Sequence, residues 1–291
     1  MNKREFLKRG VMGAVGVVVG GGVLSALTGA AKAPGATPQK TIGLELYSLR
    51  DAMGKDPEGT LRAVAAMGYK ELETASYING KLYGYAPKDF RALVEGLGMK
   101  VASAHIAPAR NLSEEEQLKW WDKALDDQKA AGCRYVVLPS MALPTNAAEL
   151  KAAVEYLNKV GALAVKKGLK FGFHNHAQEF KTVDGTVVYD YLVENTDPKK
   201  VFFQMDVYWL NMGGKSPMEY LARYAGRFPN LHIKDESIIG DSGQLDFAAI
   251  FEAAYKQGTR DYFVEVERYS DAPEKCVKIS YNFLMNASYV K

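Results

Sequence analysis

Apolar residues fall on alternate positions in eight short runs, and the stretches between those runs repeat apolar residues at helical spacing. The runs are TIGLELY (41–47), KELET (70–74), KVASAHI (100–106), RYVVLP (134–139), KFGFHN (170–175), VFFQMD (201–206), NLHIKD (230–235) and YFVEVE (262–267). Strand then helix, eight times over, implies a parallel sheet with right-handed crossovers, because parallel neighbours need a long connection. Eight such units close more naturally into a barrel than into an open sheet, and residues 34–291 are close to the ~250 typical of that closure. The fold class expected is α/β, a single-domain (β/α)8 barrel, with no Pro/Gly-rich linker to divide it. Helix starts are marked by Asp56-Pro57, by Ser113 with Glu116, and by Ser216-Pro217 with Glu219. One long strand-to-helix connection, after the fifth run, contains TVDGTV (182–187), a small hairpin turning at Asp-Gly.

Residues 1–33 stand apart. A basic start, MNKREFLKRG, is followed by an uncharged, glycine-rich stretch and by small residues around Ala31-Lys32-Ala33, the pattern of an export signal. The string Lys3-Arg4-Glu5-Phe6-Leu7-Lys8 resembles a twin-arginine signal with Lys in place of the first Arg, so the expected location is exported, periplasmic. The glycines and the following Pro34-Gly35 argue against a membrane span, and no membrane association is expected once the signal is removed. This leader carries five Lys/Arg against one acid, a surplus of four, so residues 34–291 have a net charge of −1 where the whole chain has +3. The barrel therefore lacks the basic surface that nucleic acid requires. Its two cysteines, Cys133 and Cys276, read equally well as a pair or as two buried thiols.

The four histidines of the chain are not scattered: His105 ends the third run, His174 and His176 end the fifth, and His232 lies in the seventh. Catalysis in such barrels occupies the C-terminal ends of the strands. Residues two apart in a strand share a face, and the outer face must be apolar to meet the helices. With Phe171 and Phe173, Phe203 and Met205, Leu231 and Ile233, and Val264 and Val266 outside, the residues left inside are His174, His176, Asp206, His232, Lys234, Glu265 and Glu267. By the same count Glu45 and Glu73 point inward. Unpaired charges cannot stay buried together, and a divalent cation resolves the conflict. Imidazole with carboxylate suits Mn, Co, Zn or Fe better than Ca or Mg. The alternative is a salt-bridged polar interior, for example Lys234 with Glu267.

The order of the motifs IGLELYSLRD, GYKELE, VASAHI, FHNHAQEF, QMDVYW, LHIKD and FVEVERY resembles the xylose-isomerase-like TIM-barrel superfamily, the sugar phosphate isomerase/epimerase group that also contains inosose dehydratase and endonuclease IV. The resemblance runs from about Ile42 to Tyr269. It implies one divalent metal held by His174, Asp206, His232 and Glu265. The family's epimerases have Glu at the position of His174, where it also moves a proton, and the His-Asn-His here departs from a two-glutamate epimerisation. His-rich ends of the fifth strand in dehydratase-like members tilt the chemistry toward elimination or hydration. His176 and Glu179 are alternative ligands at this strand end.

The activity expected is a metal-dependent isomerase or epimerase of a sugar or keto-sugar working through a metal-stabilised enediolate. A lyase or dehydratase on the same site, including 3-keto-glycoside elimination or hydration, is the alternative, and a non-catalytic sugar-binding barrel is the rival outside enzymology. Glu265, Glu267, His176, Lys234 and Glu179 are the candidate catalytic groups. Glu45, Tyr47, Glu73, His105, Tyr208 and Trp209 are the candidate contacts to a small carbohydrate, the aromatics by stacking on a sugar ring. Oligomeric state is left open by the sequence.

Overall fold

All eight expected strands form, pair in parallel and close on themselves. The computed structural model describes residues 40–291, so the leader expected over 1–33 lies outside the described residues. In chain order the strands are β1 (Gly43–Glu45), β2 (Glu71–Thr74), β3 (Lys100–His105), β4 (Tyr135–Leu138), β5 (Lys170–His174), β6 (Thr182–Val183), β7 (Thr186–Val187), β8 (Val201–Asp206), β9 (Asn230–Ile233) and β10 (Asp261–Val264). The barrel runs β1-β10-β9-β8-β5-β4-β3-β2, and β6 and β7 form the separate hairpin expected after the fifth barrel strand. Its turn residues, Asp184 and Gly185, have φ of 47° and 79°, the left-handed pair that a tight hairpin demands. Closure is made by β1 against β10, with Gly43 opposite Phe263 and Leu44 opposite Val264.

The helices α1 (Arg50–Lys55), α2 (Pro57–Met67), α3 (Pro87–Gly96), α4 (Glu114–Ala131), α5 (Ala147–Lys167), α6 (Val188–Asn195), α7 (Val207–Met212), α8 (Pro217–Arg223), α9 (Phe247–Gln257) and α10 (Pro273–Asn286) complete the crossovers. Asp56 caps α2 by accepting from Gly59 N, and Ser113 and Glu116 form a reciprocal box at α4. At α8 Ser216 accepts from Glu219 N, so the expected cap forms there as well. None of the described helices is long and apolar enough to cross a membrane. Cys133 and Cys276 are both buried and free, which decides between the two readings of the cysteines.

Outward-facing Phe171, Phe173, Phe203, Met205, Leu231, Ile233, Val264 and Val266 belong to one apolar core with the helices, as the alternation requires. The interior is different. A small apolar cluster of Tyr135, Val137 and Phe202 fills part of it. Gly172 makes room for that cluster: a Cβ there would stand 2.5 Å from the Phe202 ring. At the N-terminal ends of the strands Arg134 bridges Glu71 and Asp261, at 2.7 Å to each, and Tyr135 OH donates to Asp261. These groups close one end and leave the polar interior to the other.

Candidate metal centre and active site

His174, at the end of β5, and Asp206, at the end of β8, meet His232 from β9 and Glu265, the residue after β10. Each offers a ligand atom, all of these atoms lie within 4.8 Å of one another, and all four residues are buried. His174 Nε2 is 3.6 Å from Asp206 Oδ2, and His232 Nδ1 is 2.9 Å from Glu265 Oε2. Both ring nitrogens of His174 and Oδ2 of Asp206 lack a hydrogen-bond partner. Buried polar atoms are normally satisfied, so an unpaired His174 Nε2 and an unpaired Asp206 Oδ2 that face each other at 3.6 Å describe a site with room for a further partner.

Electrostatics agrees with that geometry. Burial pushes the His174 imidazole well below its usual range, helped by the neighbouring His232, His105 and His176, so the ring is neutral and one of its nitrogens presents a lone pair. Burial alone would raise Glu265, but Lys234 and His232 hold its carboxyl well below the usual range. Burial and the Glu265 charge push Asp206 up. Two carboxylates thus compete for one desolvated space with a neutral imidazole beside them, and positive charge at their centre would relieve all three. A donor set of two imidazoles and two carboxylates fits a divalent transition ion better than a wholly hard, oxygen-seeking one.

Two local devices place these ligands. Asp206 is also the cap of α7, with Oδ1 accepting from Trp209 N at 2.7 Å, so its Oδ2 is the oxygen left for the pocket. Asn175, between the two histidines of FHNH, turns its amide to the main chain of Asp206: Nδ2 donates to the carbonyl at 3.2 Å and Oδ1 accepts from the N–H at 3.1 Å. The ladder between β5 and β8 ends with His174 opposite Gln204. Asn175 extends it by one rung with a side chain. The sequence reading passed over this residue, although a polar amide at a position that parity assigns to the apolar outside was the available signal.

Around the four ligand-type residues stand further candidates. The His176 ring lies 4.9 Å from that of His174 and 6.0 Å from that of Trp209 between ring centroids, and its Nδ1 is unpaired. Buried Lys234 places Nζ 2.9 Å from Glu267 Oε2, 3.8 Å from Glu265 Oε1 and 5.7 Å from the centre of the Trp209 ring. The Lys234–Glu267 pair named in the sequence reading therefore forms beside the four-residue cluster. Tyr47 is 41% exposed with the Arg50 guanidinium over its ring, whereas Tyr208 is buried. Glu179 is not brought to the cluster: its buried carboxylate accepts from His176 N at 2.8 Å and closes the turn after β5.

Glu45, Glu73 and His105 also meet, with His232 as their common neighbour. His105 Nδ1 is 2.9 Å from Glu45 Oε1, its Nε2 is 3.2 Å from Glu73 Oε1, and Gln204 Nε2 donates to Glu73 Oε2 at 2.9 Å. Burial by itself would lower His105, but Glu73 and Glu45 raise it to about 9. Glu73, which burial alone would raise, is held at about 2 by His105 and His232. Gln204, two residues before Asp206 and on the same inner face, was missed by the sequence reading although parity places it there.

A closed parallel barrel with a buried His/Asp/His/Glu cluster at the C-terminal ends of its strands defines a (β/α)8 barrel whose polar end could hold a metal ion. Residues 61–287 match the family described as xylose isomerase-like TIM barrel, and the chain belongs to it. It is 29% identical over 227 residues to an inosose dehydratase of Geobacillus kaustophilus, covering 69% of this chain and 68% of that one. An inosose dehydratase of Clostridium perfringens is 28% identical over 57% of this chain and 61% of its own length. Among solved structures, a sugar phosphate isomerase/epimerase from Parabacteroides distasonis superposes with a TM-score of 0.82 at 34% identity, covering 87% of this chain and 100% of that one. D-psicose 3-epimerase, at 13% identity and a TM-score of 0.66, shares the fold.

Proposed function

We infer that this chain is a metal-dependent enzyme that removes the proton beside a carbonyl of a small carbohydrate and then eliminates a β-substituent, a keto-sugar dehydratase or lyase. The observation that carries the reading is the convergence of His174, Asp206, His232 and Glu265, with unpartnered ligand atoms on His174 and Asp206, next to two proton-handling groups that are not part of that set. The four residues would hold one divalent ion, of the Mn, Co, Zn or Fe kind, which supplies Lewis acidity to the substrate carbonyl when bound.

The protein's own groups divide the remaining work. His176, with Nδ1 unpaired and its ring beside that of His174, takes the proton from carbon. Lys234 remains an ammonium because Glu265, Asp206 and Glu267 outweigh the effect of its burial, so it delivers a proton to the departing oxygen. Glu267 holds that ammonium in place through Oε2. Trp209, half-buried between His176 and Lys234, offers a face to a sugar ring. Elimination needs one base and one acid, which His176 and Lys234 supply, whereas epimerisation needs a second base on the opposite face. With His174 where the fifth strand would otherwise present a carboxylate, that second base is Glu267 released from Lys234, and this makes isomerisation or epimerisation the second reading. Export through the leader places the substrate outside the cytoplasm, among unphosphorylated sugars.

The test is elemental analysis of the mature protein alongside His232→Ala, followed by a screen of keto-sugars and keto-glycosides in D2O. One equivalent of a transition metal, lost in the variant, with deuterium uptake and loss of a β-substituent supports the reading. Deuterium uptake with recovery of an epimer moves the assignment to the second reading. A metal-loaded protein that binds sugar without exchanging any proton identifies a binding barrel and defeats both.

A further inference from the structure

His232 belongs to two four-residue groups at once, and the difference between them is informative. Its Nδ1 faces Glu265 at 2.9 Å, on the side of His174 and Asp206. Its Nε2 faces Oε1 of Glu73, which reaches across the barrel interior from β2. We propose that Glu73 is a positioning residue for the metal centre: by accepting the Nε2 proton of His232 it fixes the tautomer and ring angle that leave Nδ1 for the ion. This inference rests on the metal reading given above and says which residue makes that site competent.

Glu73 is itself held from three sides. Oε1 lies against His232 Nε2 and, at 3.2 Å, against His105 Nε2. Oε2 accepts from Gln204 Nε2 at 2.9 Å, and the Oε1 of the same Gln204 faces His105 Nε2. His105 Nδ1 is anchored on Glu45 Oε1. Each ring nitrogen of His105 thus meets an acceptor from outside the His174 set, so a cation could bind that ring only by displacing Glu45, Glu73 or Gln204 from it. A second ion among Glu45, Glu73, His105 and His232 would have to break these contacts, since the only orphaned atom in that set is Glu45 Oε2. The set around His174 has orphaned atoms on two residues, His174 and Asp206, and the set around Glu73 on one, Glu45. Carboxylates that accept the remote N–H of a ligating histidine orient the ring and make it a better donor, and their loss typically costs ~10–100-fold in metal affinity.

The experiment loads the wild-type protein and Glu73→Gln with Co(II), measures the dissociation constant by chelator competition and records the visible absorption. The proposal expects one equivalent in the wild type, ~10–100-fold weaker binding in the variant and a shifted Co(II) spectrum from the reoriented imidazole. Unchanged affinity and spectrum in folded Glu73→Gln would overturn it while leaving the metal reading intact, and two equivalents in the wild type would overturn it in favour of a second ion. No binding by the wild type would remove the metal reading and this proposal together. Should the variant fail to fold, nitrogen NMR of the His232 ring in the zinc-loaded wild type decides: a proton on Nε2 with none on Nδ1 is required, and the reverse tautomer refutes the assignment.

Discussion

Asn175→Ala isolates the contribution of a single side chain to the shape of the pocket. The amide is fully buried and makes two hydrogen bonds, both to the main chain of Asp206. Removing it leaves the Asp206 N–H and C=O without that partner at the point where the β5–β8 ladder stops, and each unsatisfied buried group costs about 1–3 kcal/mol. The expected loss is about 3 kcal/mol for the pair, allowing for partial relaxation. For a domain of this size each kcal/mol moves Tm by roughly 2–4 °C, so unfolding should come about 6–12 °C earlier. The assay is thermal unfolding by circular dichroism in excess chelator, which removes any contribution from bound metal. Asn175→Asp should be at least as damaging, because an aspartate can accept from the N–H but presents only oxygens to the Asp206 carbonyl. A Tm within about 1 °C of wild type for Asn175→Ala would refute the reasoning and assign the Asp206 placement to the strand and the α7 cap alone.

Further substitutions have defined outcomes. Gly172→Val places a side chain where even a Cβ stands 2.5 Å from Phe202 and should cost about 1–3 kcal/mol in urea unfolding, whereas Gly96→Ala, with open space around it, should gain about 0.5–1 kcal/mol. Arg134→Met removes the bridge between Glu71 and Asp261, and a loss of about 1–2 kcal/mol is expected that Glu71→Gln partly restores in the double variant; strict additivity would show that the bridge contributes nothing. Lys234→Met should retain metal stoichiometry but lower kcat at least ~100-fold for substrates with a poor leaving group and less for those with a good one, the signature of a lost general acid.

The strands were readable because each carries its own record of burial: polar His174, Asp206, His232 and Glu265 interrupt runs whose alternate members, such as Phe173, Met205, Ile233 and Val264, must meet helices. The hairpin at Asp184-Gly185 and the caps at Asp56 and Ser113 were equally local, since each depends on residues within four of one another. Tyr208, Glu179 and Asn175 were harder. Each sits at or beyond the end of a strand, where alternation stops and the direction of a side chain depends on the turn that follows.

Sequence alone therefore determined the architecture, the end of the barrel where the titratable side chains gather and most of the side chains pointing inward, because all three follow from period-2 burial within single strands. How that set divides was decided only by the tertiary structure. Parity tells which residues of a strand face the axis but says nothing about the stagger of one strand against the next, and the stagger settles which inward residues share a level. That is why Glu73, a candidate for touching substrate when read one strand at a time, meets Nε2 of His232 together with His105 and Gln204, while Glu265 meets Nδ1, where Glu45 Oε2 also stands at 3.9 Å.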